Sequence, residues 1–252
     1  MTGFTTLQDS GMVNIVLDQL ERNPDARLMN SAVRYLRGQD RNLKKIAERI
    51  YSLLTRSEGL FPYQQAHFFM TLRYVREIPI DVWKEARRVI GLKKTHWYVR
   101  EQAAILLGLK KLNGRELKSI CKLFEREEIP EVKRSWGHAL SQLPKGQLIE
   151  IARKMVFSTE PNIQQLGRFY YGLIQEENLA QDQVNSIFND YREDILLNRL
   201  FEVEVISKTN SARVKTNLLK KLKANVRNIR RPILKERAQV IINRLERDRG
   251  QI

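Results

Sequence analysis

Five stretches of this chain repeat one arrangement of apolar side chains, at positions 0, 3, 4 and 7. They are Val13, Val16, Leu17, Leu20; Leu43, Ile46, Ala47, Ile50; Leu117, Ile120, Cys121, Phe124; Leu148, Ile151, Ala152, Met155; and Val184, Ile187, Phe188, Tyr191. An α-helix turns once every 3.6 residues, so this spacing puts all four side chains on one face, which must then be covered by another element. Second helical segments follow, with matching apolar anchors at Leu28, Tyr63, Val99, Val132, Ile163, Leu197 and Ile233, at intervals of 35, 36, 33, 31, 34 and 36 residues. A helix pair recurring at such a period is the signature of an α-solenoid, in which each pair buries its faces only against its neighbours. No alternating apolar run with hairpin chemistry competes with this reading. The expected fold is all-α, a solenoid of about six to seven helix pairs.

Proline placement tests the segmentation. Proline is tolerated in the first turn of a helix but costs about 3 kcal/mol in its interior. All seven prolines fall where the periodicity starts a helix: Pro24, Pro62, Pro130, Pro161 and Pro232 one to four residues before a second-helix anchor, Pro79 and Pro144 ahead of first helices.

With the segments in place, "WYVREQAAILLGLKKL" (97–112) and "PEVKRSWGHALSQL" (130–143) resemble second helices of HEAT-type repeats. Those helices often begin with a Val-Arg or Val-Lys step and carry small residues that let neighbours approach. The matches are Val99 and Arg100 with Ala103 and Ala104, and Val132 and Lys133 with Gly137 and Ala139. Elsewhere the match loosens: Tyr63-Gln64 and Ile163-Gln164 keep the anchor without the basic residue.

Charge separates the end of the chain from the rest. Of a net +16, residues 208–249 contribute +11, from 14 Lys or Arg against 3 acids, which leaves +5 for residues 1–207. A disordered basic arm would have sparse, unpatterned apolar residues. Here Val214, Leu218, Leu222 and Val226 step by four, Leu219 widens that stripe, and Ile233, Leu234, Ala238, Ile241 and Leu245 form another after Pro232. The expected organisation is therefore HEAT-like repeats over 1–207 and a basic helical cap over 208–252, continuous with the solenoid.

A terminal repeat needs a polar outer face. A solubilising face could mix acids with bases, however, whereas concentrated positive charge repels itself unless an anion offsets it. The expected partner is nucleic acid, DNA or RNA, held through its phosphates by Lys215, Lys220, Lys221, Lys223, Arg227, Arg230, Arg231, Lys235 and Arg237. A weaker ladder on the second helices, Arg100 and Lys133, would track the same backbone. Salt bridging with Glu85, Glu101, Glu116 and Glu131 is the bland alternative for the cations along the repeats. Exposed aromatics could add base stacking, with Trp97 and Tyr98 at one helix start and Phe169, Tyr170 and Tyr171 in another; Tyr170 and Tyr171 fall on the buried stripe.

Catalytic signatures are missing from the sequence. The three histidines, His67, His96 and His138, form no metal-ligand spacing, and Cys121 sits on an apolar stripe as a small hydrophobe. The twelve glycines are scattered rather than gathered into a phosphate-cradling loop, and no serine lies in a G-x-S-x-G context. No cofactor or metal is expected. In size, charge and repeat texture the chain resembles the HEAT-like alkylpurine DNA glycosylases, which implies an acid at the mouth of a concave face. The nearest match is Asp81 with Trp83, although Asp81 also suits the first turn of a helix. The principal alternative is a protein-interaction scaffold whose basic cap addresses an acidic protein partner, or a helical-repeat domain of a larger assembly, resembling those appended to some bacterial defence reverse transcriptases. The most apolar window, "AAILLGL" (103–109), is far shorter than the ~20 residues of a membrane span. One cysteine and an N-terminus without signal-peptide character make the expected location cytoplasmic.

Overall fold

A computed structural model describes residues 10–22, 31–32, 35–36, 39, 43–55, 61–73, 75, 78–190, 193–230 and 232–249. Among them every regular element is helical, and no strand forms. The chain divides into two compact units, residues 1–110 and 111–252.

The first unit contains α1 (Ser10–Arg22), α2 (Leu43–Thr55), α3 (Pro62–Leu72), α4 (Ile80–Gly91) and α5 (Trp97–Leu109). The expected stripes face inward: Val13, Leu17 and Leu20 on α1 and Ile46, Ala47 and Ile50 on α2 are buried. α2 packs on both α3 and α4, and α5 on both α3 and α4. An ion pair of 2.7 Å between Arg49 and Asp18 joins α2 to α1.

The second unit runs through α6 (Gly114–Arg126), α7 (Pro130–Ser135), α8 (Gly137–Leu140), α9 (Lys145–Val156), α10 (Pro161–Gln175), α11 (Glu177–Ser186), α12 (Glu193–Ile206), α13 (Ala212–Asn225) and α14 (Pro232–Arg249). Here α10 packs on α9, α11 and α12, while α11 and α12 each pack on α13, and α12 and α13 on α14. From α10 onward each helix thus meets the next in sequence and the next but one. α9 and α10 approach each other closely. A Cβ on Gly167 would lie 2.5 Å from Met155 Cβ and 2.7 Å from the Val156 backbone nitrogen, so glycine is what lets these helices touch.

Prolines start the helices as anticipated: Pro62, Pro130, Pro161 and Pro232 open α3, α7, α10 and α14, and Pro79 and Pro144 cap α4 and α9. Two local expectations are corrected. The helix read over 130–143 is interrupted at Trp136, directly after Ser135, whose Oγ donates to the Glu131 carbonyl at 3.0 Å, and it ends at Leu140, before Ser141, whose Oγ donates to the His138 carbonyl at 2.7 Å. Such back-bonding competes with the helical ladder and bends it. Tyr63, read as a buried anchor, is 38% exposed, while Phe68, Phe69 and Leu72 on the same helix fill the core. Expectations at Pro24, Leu28, Tyr191 and Arg231 lie outside the described residues.

Candidate nucleic-acid interface

α13 is where the apolar stripe and the charge separate most cleanly. Val214, Leu218, Leu219 and Leu222 are buried, which turns Lys220 and Lys223 fully outward and leaves Lys215 and Lys221 half-exposed. Ser211 caps the helix, its Oγ accepting from the Val214 N–H at 3.2 Å. Arg213 and Lys215 then occupy the first turns, the end where the helix dipole favours anions. Their sign opposes helix stability, so helix-dipole stabilisation does not explain them.

The chain continues through a single 3-10 turn, Val226–Asn228, into α14. Arg227, Arg230 and Lys235 are exposed along this path. Among the described residues Lys215, Lys220, Arg227, Arg230 and Lys235 have no ion-pair partner. Lys223 pairs with Glu246 at 2.6 Å, and the Lys221 ammonium donates to the Asn185 carbonyl.

One further cation joins this surface that its sequence position does not suggest. Lys145, in the first turn of α9, donates to the Asn210 side chain, and burial together with the neighbouring Lys215 lowers its ammonium below the ordinary lysine value. Two like charges from helices about seventy residues apart are thus held near each other. Only packing brings them together, so periodicity within either helix could not have found the pair.

Other expected contacts turn inward. Arg100 is 6% exposed, with its Nε donating to the Ile90 carbonyl at 3.3 Å. Arg237 lies against the Phe201 ring, 5.2 Å from its centroid, and helps to surround a buried carboxylate, Glu204. Glu204 Oε1 accepts from Arg244 Nη1 at 2.6 Å and from Lys208 Nζ at 3.0 Å, while Arg244 Nη2 donates to Ser207 Oγ at 2.6 Å. Burial alone would raise the Glu204 carboxyl, but Lys208, Arg244 and Arg237 outweigh it and hold the group at about 2. Burial pulls Lys208 down to about 8 against the attraction of Glu204. Lys208 and Arg237 therefore belong to the interior, while Arg244 reaches the carboxylate from a half-exposed position. Lys133 is half-exposed with its ammonium 5.2 Å from the Phe124 ring.

Aromatic residues divide similarly. Trp97 is 40% exposed and neighbours His96 at 5.7 Å, while Tyr98 stacks near Tyr63 at 6.4 Å. Tyr170 is buried, which raises its phenol well above the usual range, and Tyr171 lies 5.6 Å from the Arg153 guanidinium.

The acid weighed as a catalytic candidate lies at a helix start. Asp81 sits in the first turn of α4 and pairs with Lys84 at 2.8 Å, while Trp83 lies 5.9 Å from the Lys110 ammonium. Cys121 is half-buried rather than fully enclosed, and burial followed by Glu125 raises its thiol. Among the described residues no cluster of three or more His, Cys, Asp or Glu side chains is arranged to hold a metal, and no helix is long and apolar enough to cross a membrane. Comparison with protein-family models, with curated proteins and with solved structures finds no match to this chain.

Proposed function

We propose that this chain is a non-catalytic, HEAT-like helical-repeat protein that binds nucleic acid through its C-terminal helices. The observation that carries the reading is the set of outward cations on α13, the 3-10 turn and α14 that have no acidic partner among the described residues: Lys215, Lys220, Arg227, Arg230 and Lys235. The half-exposed Lys221 and the acid-paired Lys223 flank them on α13, and Lys145 extends the surface from α9. The inward Arg100 and Arg237 are left out of this surface. The repeat reading is supported by the packing from α10 onward of each helix on the next and the next but one, which is how a solenoid buries its faces.

A surface of this kind would read charge spacing rather than base identity, because phosphate contacts position a nucleic acid without specifying its sequence. Each neutralised phosphate contributes about 0.7 to 0.9 to the logarithmic dependence of affinity on salt. Fluorescence anisotropy with labelled single-stranded and duplex DNA and RNA, titrated at several salt concentrations, should therefore give a slope of roughly 3 to 5. No binding at low salt would overturn the reading and give first place to a scaffold for an acidic protein.

A further inference from the structure

A groove of about 480 Å³ opens in the second unit between α7, α10 and the start of α11. Its walls carry three kinds of chemistry. Arg134 from α7 and Arg168 from α10 are exposed, and neither has an ion-pair or hydrogen-bond partner among the described residues. Asn162 and Gln165, one turn apart on α10, present amides that both donate and accept. Phe169 contributes an aromatic ring, with Leu166 and Leu179 beside it.

The periodicity of α10 explains why these groups share one side. Ile163, Gly167, Tyr170 and Ile174 are buried, which leaves 162, 165, 168 and 169 on the opposite side of the helix. Two other grooves of the molecule differ in charge. One holds Lys154 paired with Glu125 and Glu150, and the other holds Arg88 paired with Glu85, so each has carboxylates in its lining, beside one further lysine, Lys118 or Lys94. No acid lines the groove at α10.

We infer that this groove is a nucleotide subsite for single-stranded nucleic acid, with phosphate held by Arg134 and Arg168, the base against Phe169, and its edge facing Asn162 and Gln165. The volume falls within the roughly 300–1,000 Å³ of small-molecule sites. Two unpaired guanidiniums suit a phosphate, whose oxygens accept paired N–H groups. An aromatic face together with amides suits an unstacked base, and a base is open to such contacts only when it is not already paired and stacked in a duplex. The inference rests on nucleic acid being the ligand, but not on the C-terminal cations being where it binds.

The test uses the full chain and two probes. Titration of isotopically labelled protein with adenosine monophosphate, followed by NMR, should shift resonances of Phe169, Arg134 and Arg168. The shifts should persist in the Lys220→Glu, Lys221→Glu variant and weaken in Phe169→Leu, which keeps an apolar side chain. Ribose 5-phosphate, which lacks the base, should bind more weakly. In anisotropy, Phe169→Leu should weaken a single-stranded oligonucleotide roughly 5- to 150-fold, the range of one lost stacking contact, and leave duplex binding unchanged. Absence of shifts at millimolar adenosine monophosphate, or equal binding of ribose 5-phosphate, overturns the subsite. A glutamate-rich peptide moving the same resonances where the nucleotide does not would assign the groove to an acidic protein and also overturn it. None of these outcomes decides the C-terminal surface, which its own salt dependence tests.

Discussion

Helices α4 and α13 are both rich in cations and use them in opposite ways. On α4, Lys84 pairs with Asp81 and Arg88 with Glu85, each three residues back, and the Glu85 carboxylate accepts two bonds from Arg88, at 2.6 and 2.8 Å. α13 carries Arg213, Lys215, Lys220, Lys221 and Lys223 and no acid at all. Positions that could have supplied one hold neutral residues instead. Thr216 lies four residues before Lys220, and Asn217 lies three before Lys220 and four before Lys221, the spacings at which a glutamate stabilises a following lysine. Asn217 instead donates its amide to Gln181 Oε1 at 2.8 Å. α13 holds five cations against three on α4, but the sharper difference is neutralisation: α4 pairs Lys84 and Arg88 with acids of its own helix, whereas on α13 only Arg213 and Lys223 meet acids, both from other helices, and the rest of the face is left open to an anion.

The largest expected effect breaks the comparison outright. Reversing Lys220, Lys221, Arg227 and Arg230 to Glu should abolish nucleic-acid binding while circular dichroism shows the helices intact. The double reversal Lys84→Glu, Arg88→Glu on α4 should change affinity by no more than a few-fold. Equal losses in the two variants would mean that net charge, and not the α13 surface, drives binding.

Next comes the interior, where a single carboxylate faces three cations. Glu204→Gln should destabilise the chain by about 3–5 kcal/mol in urea unfolding, because Lys208 and Arg237 would be buried without their counter-charge. The carboxyl is held at about 2 in the folded state against an ordinary 4.5, so its stabilisation is present above pH ~4.5 and disappears as the pH falls toward 2. The variant should lose that part of the acid dependence. A Gln variant as stable as the parent would show that the cluster is not what holds α12 to α14.

Gly167→Ala tests the close approach of α9 and α10. Alanine normally favours a helix by about 1 kcal/mol over glycine. Here its Cβ would collide with Met155 and the Val156 backbone, so a net loss of about 1–3 kcal/mol is expected in thermal unfolding. Gly146→Ala, where a Cβ meets nothing within 4 Å, is the control and should be neutral or slightly stabilising.

The smallest effect sharpens the comparison by making α13 resemble α4. Thr216→Glu places an acid one turn before Lys220 and should stabilise the protein by about 0.3–0.5 kcal/mol. It should also lower the salt slope of nucleic-acid binding by about one unit. A gain in stability with unchanged binding would remove Lys220 from the interface.

Much of the fold could be read before any coordinates. The buried stripes of α1, α2, α9 and α13, the prolines at helix starts and the helical character of the basic C-terminus are all local properties, because a residue's place on a helix face depends only on its spacing from its neighbours. Where the reading failed, a local pattern met a tertiary decision. Tyr63 occupies an anchor position but remains partly exposed, while Phe68 and Phe69 fill the space inside.

The site was legible in its charge and in its place along the chain, but not in its membership. Nothing in the residues around Arg100 or Arg237 announces that each would be drawn inward, since a long side chain can bury its stem and find a carbonyl or carboxylate on another helix. Lys145 beside Lys215, and Arg134 beside the 162–169 face of α10, were likewise invisible, because each pairing joins elements separated by dozens of residues. By itself the sequence determined an all-helical chain with its positive charge gathered at one end; periodicity and composition suffice for both. Which cations reach solvent, which are neutralised and which share a groove was decided only when distant helices packed, because burial and pairing are relations between elements and no single segment encodes them.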